Sequence, residues 1–321
     1  MPEVTVLMPV YNAMPFLPMA VESVLAQSLP LFKLLIVDDG STDGTRAYLE
    51  SLHDDRIRLL MRPHEGLGAT LNVGLGLCDT EYIARMDGDD VMHPRRLEVQ
   101  LKYLVENPKV CMVGSQVEFL VGVPTGLVGR APTEHSEIVE RLLAKKNGIC
   151  HPALMMRLSV VQHIGGYRIA GTGEDLDFCL RMCEAGQAAN LAGVYHYYRL
   201  LPSSASFGRG LEILLGYAYA VESAKCRRNG SPEPNFESFR TQWGQRNIIS
   251  RLLDVLEDRA ICEYRQSIID RAEGRPVRGY FRLLSAAAAQ PHWCIWHLRR
   301  LAKDWINGAN RSTGTASPKN V

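Results

Sequence analysis

Apolar positions along the chain fall into short unbroken runs, separated by stretches in which they recur every three or four residues. Residues 4–10, VTVLMPV, form an apolar, β-rich run that stops at Tyr11-Asn12, after which Leu17, Ala20, Val21, Val24 and Leu25 repeat at helical spacing. A second run, Leu34-Leu35-Ile36-Val37, ends in Asp38-Asp39-Gly40-Ser41-Thr42-Asp43-Gly44, turn formers and cap types that lead into a helix over 45–52. The rhythm continues with a strand over 57–61, a helix over 69–77 and a strand over 82–86. The acidic turn Asp87-Gly88-Asp89-Asp90, a helix over 94–106 and a strand over 110–120 follow. Strands that are apolar throughout and alternate with helices predict an α/β fold, Rossmann-like, with a mainly parallel sheet covered on both faces. Ligands of such sheets bind beyond the carboxyl ends of the strands. Tyr11-Asn12, Asp38-Asp39 and the acidic turn each stand at such an end and should converge on one crevice.

After Gly129 the alternation weakens to a helix over 134–145, an extended segment over 151–157 and a helix over 174–186. From Gly210 the pattern is largely helical, with a Gly-Ser-Pro-Glu-Pro break at 230–234 and a low-complexity end from Gly308. With 321 residues, 46% of them hydrophobic and 22% charged, the chain can bury a large core and is not disordered by composition. The net charge of +1 argues against a nucleic-acid partner, but it hides a division. Residues 225–311 carry 16 Lys/Arg against 9 Asp/Glu, and residues 1–224 carry 19 against 26. An acidic front suits a bound divalent metal. A basic rear suits a phosphate-bearing acceptor or an anionic membrane surface. Trp293, Trp296 and Trp305, beside Arg299, Arg300 and Lys303, fit either an interfacial amphipathic helix or a helix packed on the main domain. No run approaches the roughly 18–20 apolar residues that span a bilayer, and the start Met1-Pro2-Glu3-Val4 has no signal-peptide character, so a cytoplasmic location is expected. The eight cysteines include no CxxC pair and read as reduced core residues.

The acidic turn offers carboxylate oxygens suited to Mg2+ or Mn2+, with a glycine that permits close approach, although such residues also serve simply as turn formers and helix caps. Asp39 can accept hydrogen bonds from a base or ribose, whereas Asp38 serves equally well as a turn residue. Glu174-Asp175-Leu176-Asp177 opens a helix, where acids complement the dipole and where one of them could act as a general base toward an acceptor hydroxyl.

Taken in order, these segments resemble glycosyltransferase family 2, the inverting enzymes of the GT-A fold that build bacterial cell-surface polysaccharides. The resemblance covers about residues 3–206 and rests on VTVLMPVYN (4–12), LLIVDDGSTDGT (34–45), EYIARMDGDDVMHPRRLEVQ (81–100), HPALMMR (151–157), GGYR (165–168) and GEDLDFCLR (173–181). It implies a GT-A domain over 1–209, with a nucleotide-sugar half to about 120 and an acceptor half from 121. A helical C-terminal region over 210–307 and a disordered tail over 308–321 complete the expectation. It further implies that Pro9, Tyr11 and Asp39 line the nucleotide pocket, and that Asp87 and Asp89 form the DxD motif, Asp87 toward ribose or sugar and Asp89 toward a metal on the diphosphate. Asp175 matches the catalytic base. Asn12, Asp90, Arg95 and Glu174 are second-rank candidates. The implied partners are a nucleotide-sugar donor, most readily a UDP-sugar, and a glycan or lipid-linked acceptor.

One departure concerns Tyr198-Arg199-Leu200-Leu201, which keeps the family's Arg at Arg199 but has Leu201 where many members place a His. His196 lies nearby at the wrong offset and reads as a packed or surface histidine, and His151 is a candidate for positioning donor or acceptor. Arg157 and Arg181 read as partners of phosphate or of neighbouring acids, Arg181 chiefly of Asp177. A phosphohydrolase would carry its Asp-x-Asp after the first strand, and a nucleotidyltransferase a Gly-rich basic loop where this chain has Pro9-Val10-Tyr11-Asn12. A non-catalytic nucleotide-sugar-binding scaffold is the alternative from another class.

Overall fold

The structure is a computed structural model and describes residues 3–168, 172–202 and 210–289. Its order begins β1 (Val4–Val10), α1 (Leu17–Leu25), β2 (Phe32–Asp38), α2 (Thr45–Glu50), β3 (Ile57–Met61), α3 (Leu67–Leu77) and β4 (Tyr82–Arg85). It continues with β5 (Val91–Met92), α4 (Arg96–Glu106), β6 (Val110–Val121), β7 (Val123–Gly129) and α5 (His135–Leu143). A single 3-10 turn at His151–Ala153 precedes β8 (Met155–Arg157), α6 (Leu158–His163), α7 (Glu174–Ala185) and β9 (Gln187–Arg199). The helices α8 (Gly210–Arg228), α9 (Phe236–Gly244), α10 (Ile248–Ala272) and α11 (Pro276–Ala289) follow. By its internal contacts the chain divides into a first unit of Met1–Leu201 with Glu212–Gln245 and a second of Pro202–Leu211 with Arg246–Val321. Most of α8 and all of α9 thus group with the first unit.

The sheet of the first unit runs β3-β2-β1-β4-β8-β6-β9-β5, with β7 on β6. The four strands β3, β2, β1 and β4 are mutually parallel, and β6 is parallel to β9. Antiparallel pairings at β8, β5 and β7 make the second half mixed. Because β8 is antiparallel to both β4 and β6, the carboxyl ends of β1, β2, β4, β6 and β9 all face one edge.

Alternation along the strands distributes their side chains between two helical layers. Leu7, Leu35 and Val37 join a core with Leu71 and Leu75 of α3, Ile138 of α5, Phe178 and Leu180 of α7 and Ala220 and Val221 of α8. Their neighbours Val6, Met8, Leu34 and Ile36 point the other way, onto Leu17, Val21 and Val24 of α1, Leu49 of α2 and Leu97 and Leu104 of α4. Both faces being covered, β1 is buried along its whole length, which is why it reads as one apolar run.

Three strands carry no such signature. β5 has two residues, β7 (VPTGLVG) contains Pro124 and two glycines, and β9 (QAANLAGVYHYYR) mixes Asn, Gly and His into a ribbon only partly buried. In the second unit, α10 and α11 pack through Ala260 and Ala286, and Asp270 is buried against Arg282, whose Nε donates to it at 2.8 Å.

The serines that follow Tyr198-Arg199-Leu200-Leu201, in residues 203–209, and the tryptophan-bearing segment and tail, in residues 290–321, lie outside the described residues.

Candidate active site

The turn after β4 is built around buried charge. Arg85, at the end of β4, is buried and grips Asp87 with both terminal nitrogens, at 2.7 and 2.6 Å. Gly88 has no room for a side chain, since a Cβ there would stand 2.7 Å from Val10 Cγ1; this draws the turn onto the end of β1. Asp90 is buried and accepts from His196 Nε2 at 2.7 Å and from the Arg199 backbone N–H at 2.8 Å. On its far side the His196 ring receives Arg96 Nη1 at its Nδ1, at 3.0 Å. Arginine can only donate, so Nδ1 is the acceptor and Nε2 carries the proton toward Asp90. Burial, followed by the Arg96 charge, keeps this imidazole's pKa well below the ordinary range, hence neutral.

Ligand atoms of Asp87, Asp89 and Asp90 lie within 4.8 Å of one another. Asp90 has both oxygens engaged and Asp87 is held by Arg85, whereas the Asp89 carboxylate takes no side-chain hydrogen bond among the described residues. Burial, then the charges of Asp90 and Asp87, push the Asp89 carboxyl up to about 8. An all-oxygen set with one uncommitted, electrostatically frustrated carboxylate fits a hard divalent cation at Asp89.

At the ends of β1 and β2 a second cluster forms. Asp39 is buried and accepts the backbone N–H groups of Glu65, at 3.0 Å, and Gly66, at 2.9 Å, with His64 Nδ1 at 2.8 Å. Burial works to raise its pKa, but these donors and the Thr70 hydroxyl outweigh it and hold the carboxyl below the usual range. His64 in turn stacks on Tyr11, ring centroids 4.2 Å apart, and Tyr11 is 46% exposed, so an open aromatic face stands beside a fixed carboxylate. Pro9 is buried in β1 opposite Val37. The Asn12 side chain reaches across to the loop that follows β2, accepting from the backbone N–H of Thr42 at 2.8 Å. Asp38 accepts from the Ser41 backbone and hydroxyl and is a turn residue.

The third cluster opens α7. Asp175 accepts from the Leu176 N–H at 2.8 Å and from the Tyr217 hydroxyl of α8 at 3.1 Å. Burial raises its pKa despite both bonds, and Glu174 is raised by burial and by Asp175. His151 is buried with Nε2 2.7 Å from the Tyr167 hydroxyl, and Tyr167 stacks on Phe178 at 4.2 Å. Burial keeps His151 neutral. Arg85 acts electrostatically on Asp89, Asp90, His151, Glu174 and Asp175 alike, which puts the acidic turn and the α7 start around one buried cation.

The sequence model described as Glycosyl transferase family 2 matches residues 5–165, half of the chain, and includes the acidic turn and the Tyr11, Asp39 and His64 cluster. The chain belongs to that family. EpsE of Bacillus subtilis strain 168, assigned as a glycosyltransferase, is 34% identical over 240 residues, covering 71% of this chain and 83% of its own. The O-antigen biosynthesis glycosyltransferase WbnJ of Escherichia coli is 28% identical over 184 residues, 56% of this chain and 71% of its own. Among solved structures, TarS 1–349 of S. aureus in complex with UDP-GlcNAc superposes with a TM-score of 0.60 at 14% identity, covering 90% of this chain and 92% of that one. The mannosyltransferase PcManGT of Pyrobaculum calidifontis, in complex with GDP-Man and Mn2+, has a TM-score of 0.54 at 18% identity, with 97% and 82% covered. The GT-A fold is thereby shared.

Several residues of this glycosyltransferase were not singled out from sequence. Arg85 and Arg96 sit in plain view beside the acidic turn, but nothing in the spacing says that they are buried. His64 is one of nine histidines. Tyr217 is 42 residues from the carboxylate it meets. Arg95, expected in the site, is exposed and pairs with Glu98, because α4 starts at Arg96 and its phase turns that arginine inward instead. Arg199 donates through Nε to the Asp89 carbonyl and lies over the Phe16 ring at 4.5 Å, bracing the turn. Arg157 bonds Val110 O, Leu104 O and the Tyr82 hydroxyl, and Arg181 pairs with Asp177.

Proposed function

We propose that this glycosyltransferase is metal-dependent and inverting, and that it moves a sugar from a UDP-sugar to a glycan or lipid-linked glycan during assembly of a cell-surface polysaccharide or glycoconjugate. The observation that carries this reading is the acidic turn at the end of β4, with one uncommitted carboxylate at Asp89, on the same sheet edge as the Tyr11–His64–Asp39 cluster. TarS was solved with UDP and with UDP-GlcNAc and PcManGT with Mn2+, and WbnJ is named for O-antigen biosynthesis, which supports donor, metal and setting.

In this reading the Tyr11 ring and the Asp39 carboxylate receive the base, Pro9 closes the pocket floor, and Asn12 keeps the loop in place. Asp87 faces the ribose or sugar. Asp89 holds Mg2+ or Mn2+, which when bound offsets the charge of the departing nucleoside diphosphate. Asp90 and Arg199 fix the turn, and Asp175 accepts the proton of the attacking hydroxyl while Glu174 and His151 border the acceptor side. A carboxylate with a raised pKa is a stronger base. It must still be ionised, so turnover should rise with pH through the raised pKa of Asp175. Direct displacement by the acceptor inverts the anomeric centre and needs no nucleophilic side chain.

The reading extends to a cytoplasmic enzyme touching the inner face of the plasma membrane through its basic C-terminal region. Among the described residues no helix is long and apolar enough to cross a membrane.

Thermal unfolding with UDP, GDP, ADP, CMP and dTDP, each with and without Mn2+, tests the proposal. A ligand at 100 times its Kd stabilises the fold by about 2.7 kcal/mol, and UDP with Mn2+ should do so. A response to another nucleotide alone would overturn the donor class. Asp89→Ala should abolish transfer and the Mn2+-dependent rise while remaining folded, and undiminished turnover would remove the metal assignment.

A further inference from the structure

The start of α7 is clamped by a helix that lies outside the matched family segment. Gly173 has φ +96°, the left-handed region that favours glycine, and a Cβ on it would stand 2.7 Å from the backbone of Gly216 in α8. A Cβ on Gly216 would overlap the Thr172 carbonyl oxygen, at 1.5 Å. The Thr172 hydroxyl donates to the Glu212 carbonyl in the first turn of α8. Two glycines thus allow backbone to meet backbone, and one residue further along α8 Tyr217 reaches Asp175 Oδ2.

Asp175 has one oxygen held by the Leu176 N–H and the other by this phenol. Together they set the rotation of the carboxylate and leave lone pairs of Oδ2 for an incoming hydroxyl. We propose that Tyr217 is a positioning residue for this glycosyltransferase: from α8 it orients the Asp175 carboxylate toward the acceptor hydroxyl, so that the base is completed by the helix that follows the GT-A sheet. The inference rests on the reading of Asp175 as the base. Its physical content is that a general base works only within hydrogen-bond reach and alignment of the proton it takes, and a carboxylate with one oxygen released samples other rotations.

The experiment compares Tyr217→Phe with Asp175→Asn, measuring kcat, donor KM, the pH profile of kcat and the melting temperature. Tyr217→Phe keeps the ring and its packing and removes only the hydroxyl. It should lower kcat about tenfold, the scale of one charge-assisted hydrogen bond, with donor KM unchanged. The acid limb of its profile should move to higher pH, because a bond that favours the ionised carboxylate is lost. Unchanged kcat, or a lower kcat with the acid limb unmoved, would overturn the role of Tyr217. Asp175→Asn should be nearly inactive; full turnover in that variant would remove the base assignment itself, an outcome distinct from a failure at Tyr217.

Discussion

Asp90 illustrates how much of this site is decided atom by atom. Arg96 donates to one side of the His196 ring and thereby forces the other side to donate, so Asp90 faces two N–H groups, from His196 and from the Arg199 backbone. Asparagine at this position could accept only one of them, and its amide would oppose the other donor. Asp90→Asn is therefore expected to cost about 1–3 kcal/mol, read as a lower denaturant midpoint at unchanged slope. Within the turn itself Asp87, Asp89 and Asp90 are three like carboxylates, and at the level of sequence only the family resemblance distinguishes them. Their different partners, Arg85 for Asp87, no side chain for Asp89 and His196 for Asp90, come from strands β4 and β9, the last 106 residues away.

At the scale of elements, α7 joins the site to the core. Its first turn carries Glu174 and Asp175, and three residues further along Phe178 is fully buried beneath Tyr167, which holds His151. Asn72 of α3 bonds both the N–H and the carbonyl of Tyr167, at 2.8 and 2.7 Å, so Tyr167 is fixed to that helix. Phe178→Ala would empty a site shared by all of these and should cost about 3–5 kcal/mol by chemical denaturation. The helix itself was legible over 174–186 from its apolar spacing and acidic first turn. β7 and β9 were not, because edge and partly exposed strands with Pro, Gly and Asn carry neither an apolar run nor a strict alternation.

For the molecule as a whole, the second unit poses the question of what it faces. Helix α11 is apolar on two sides: Gly279, Leu283 and Ala286 are buried, while Val277, Tyr280, Phe281 and Leu284 are exposed at 58–69%. The exposed charges between Ile248 and Ala289 are Arg251, Arg259, Arg275 and Arg278 against Glu273, the other acids there being buried or half-buried. An apolar stripe with basic residues around it is the pattern of an interfacial helix. The protein should sediment with vesicles rich in anionic lipid at low salt and be released as salt screens the arginines, and a protein that stays in the supernatant at low salt would remove the membrane contact. By itself the sequence determined the α/β class and marked the strand ends and the acids of the candidate site, because apolar periodicity and turn chemistry are local. Only the tertiary structure decided which acid is free, which histidine is neutral and which distant tyrosine reaches Asp175, because burial and hydrogen-bond partnership depend on segments that meet only when the sheet is assembled.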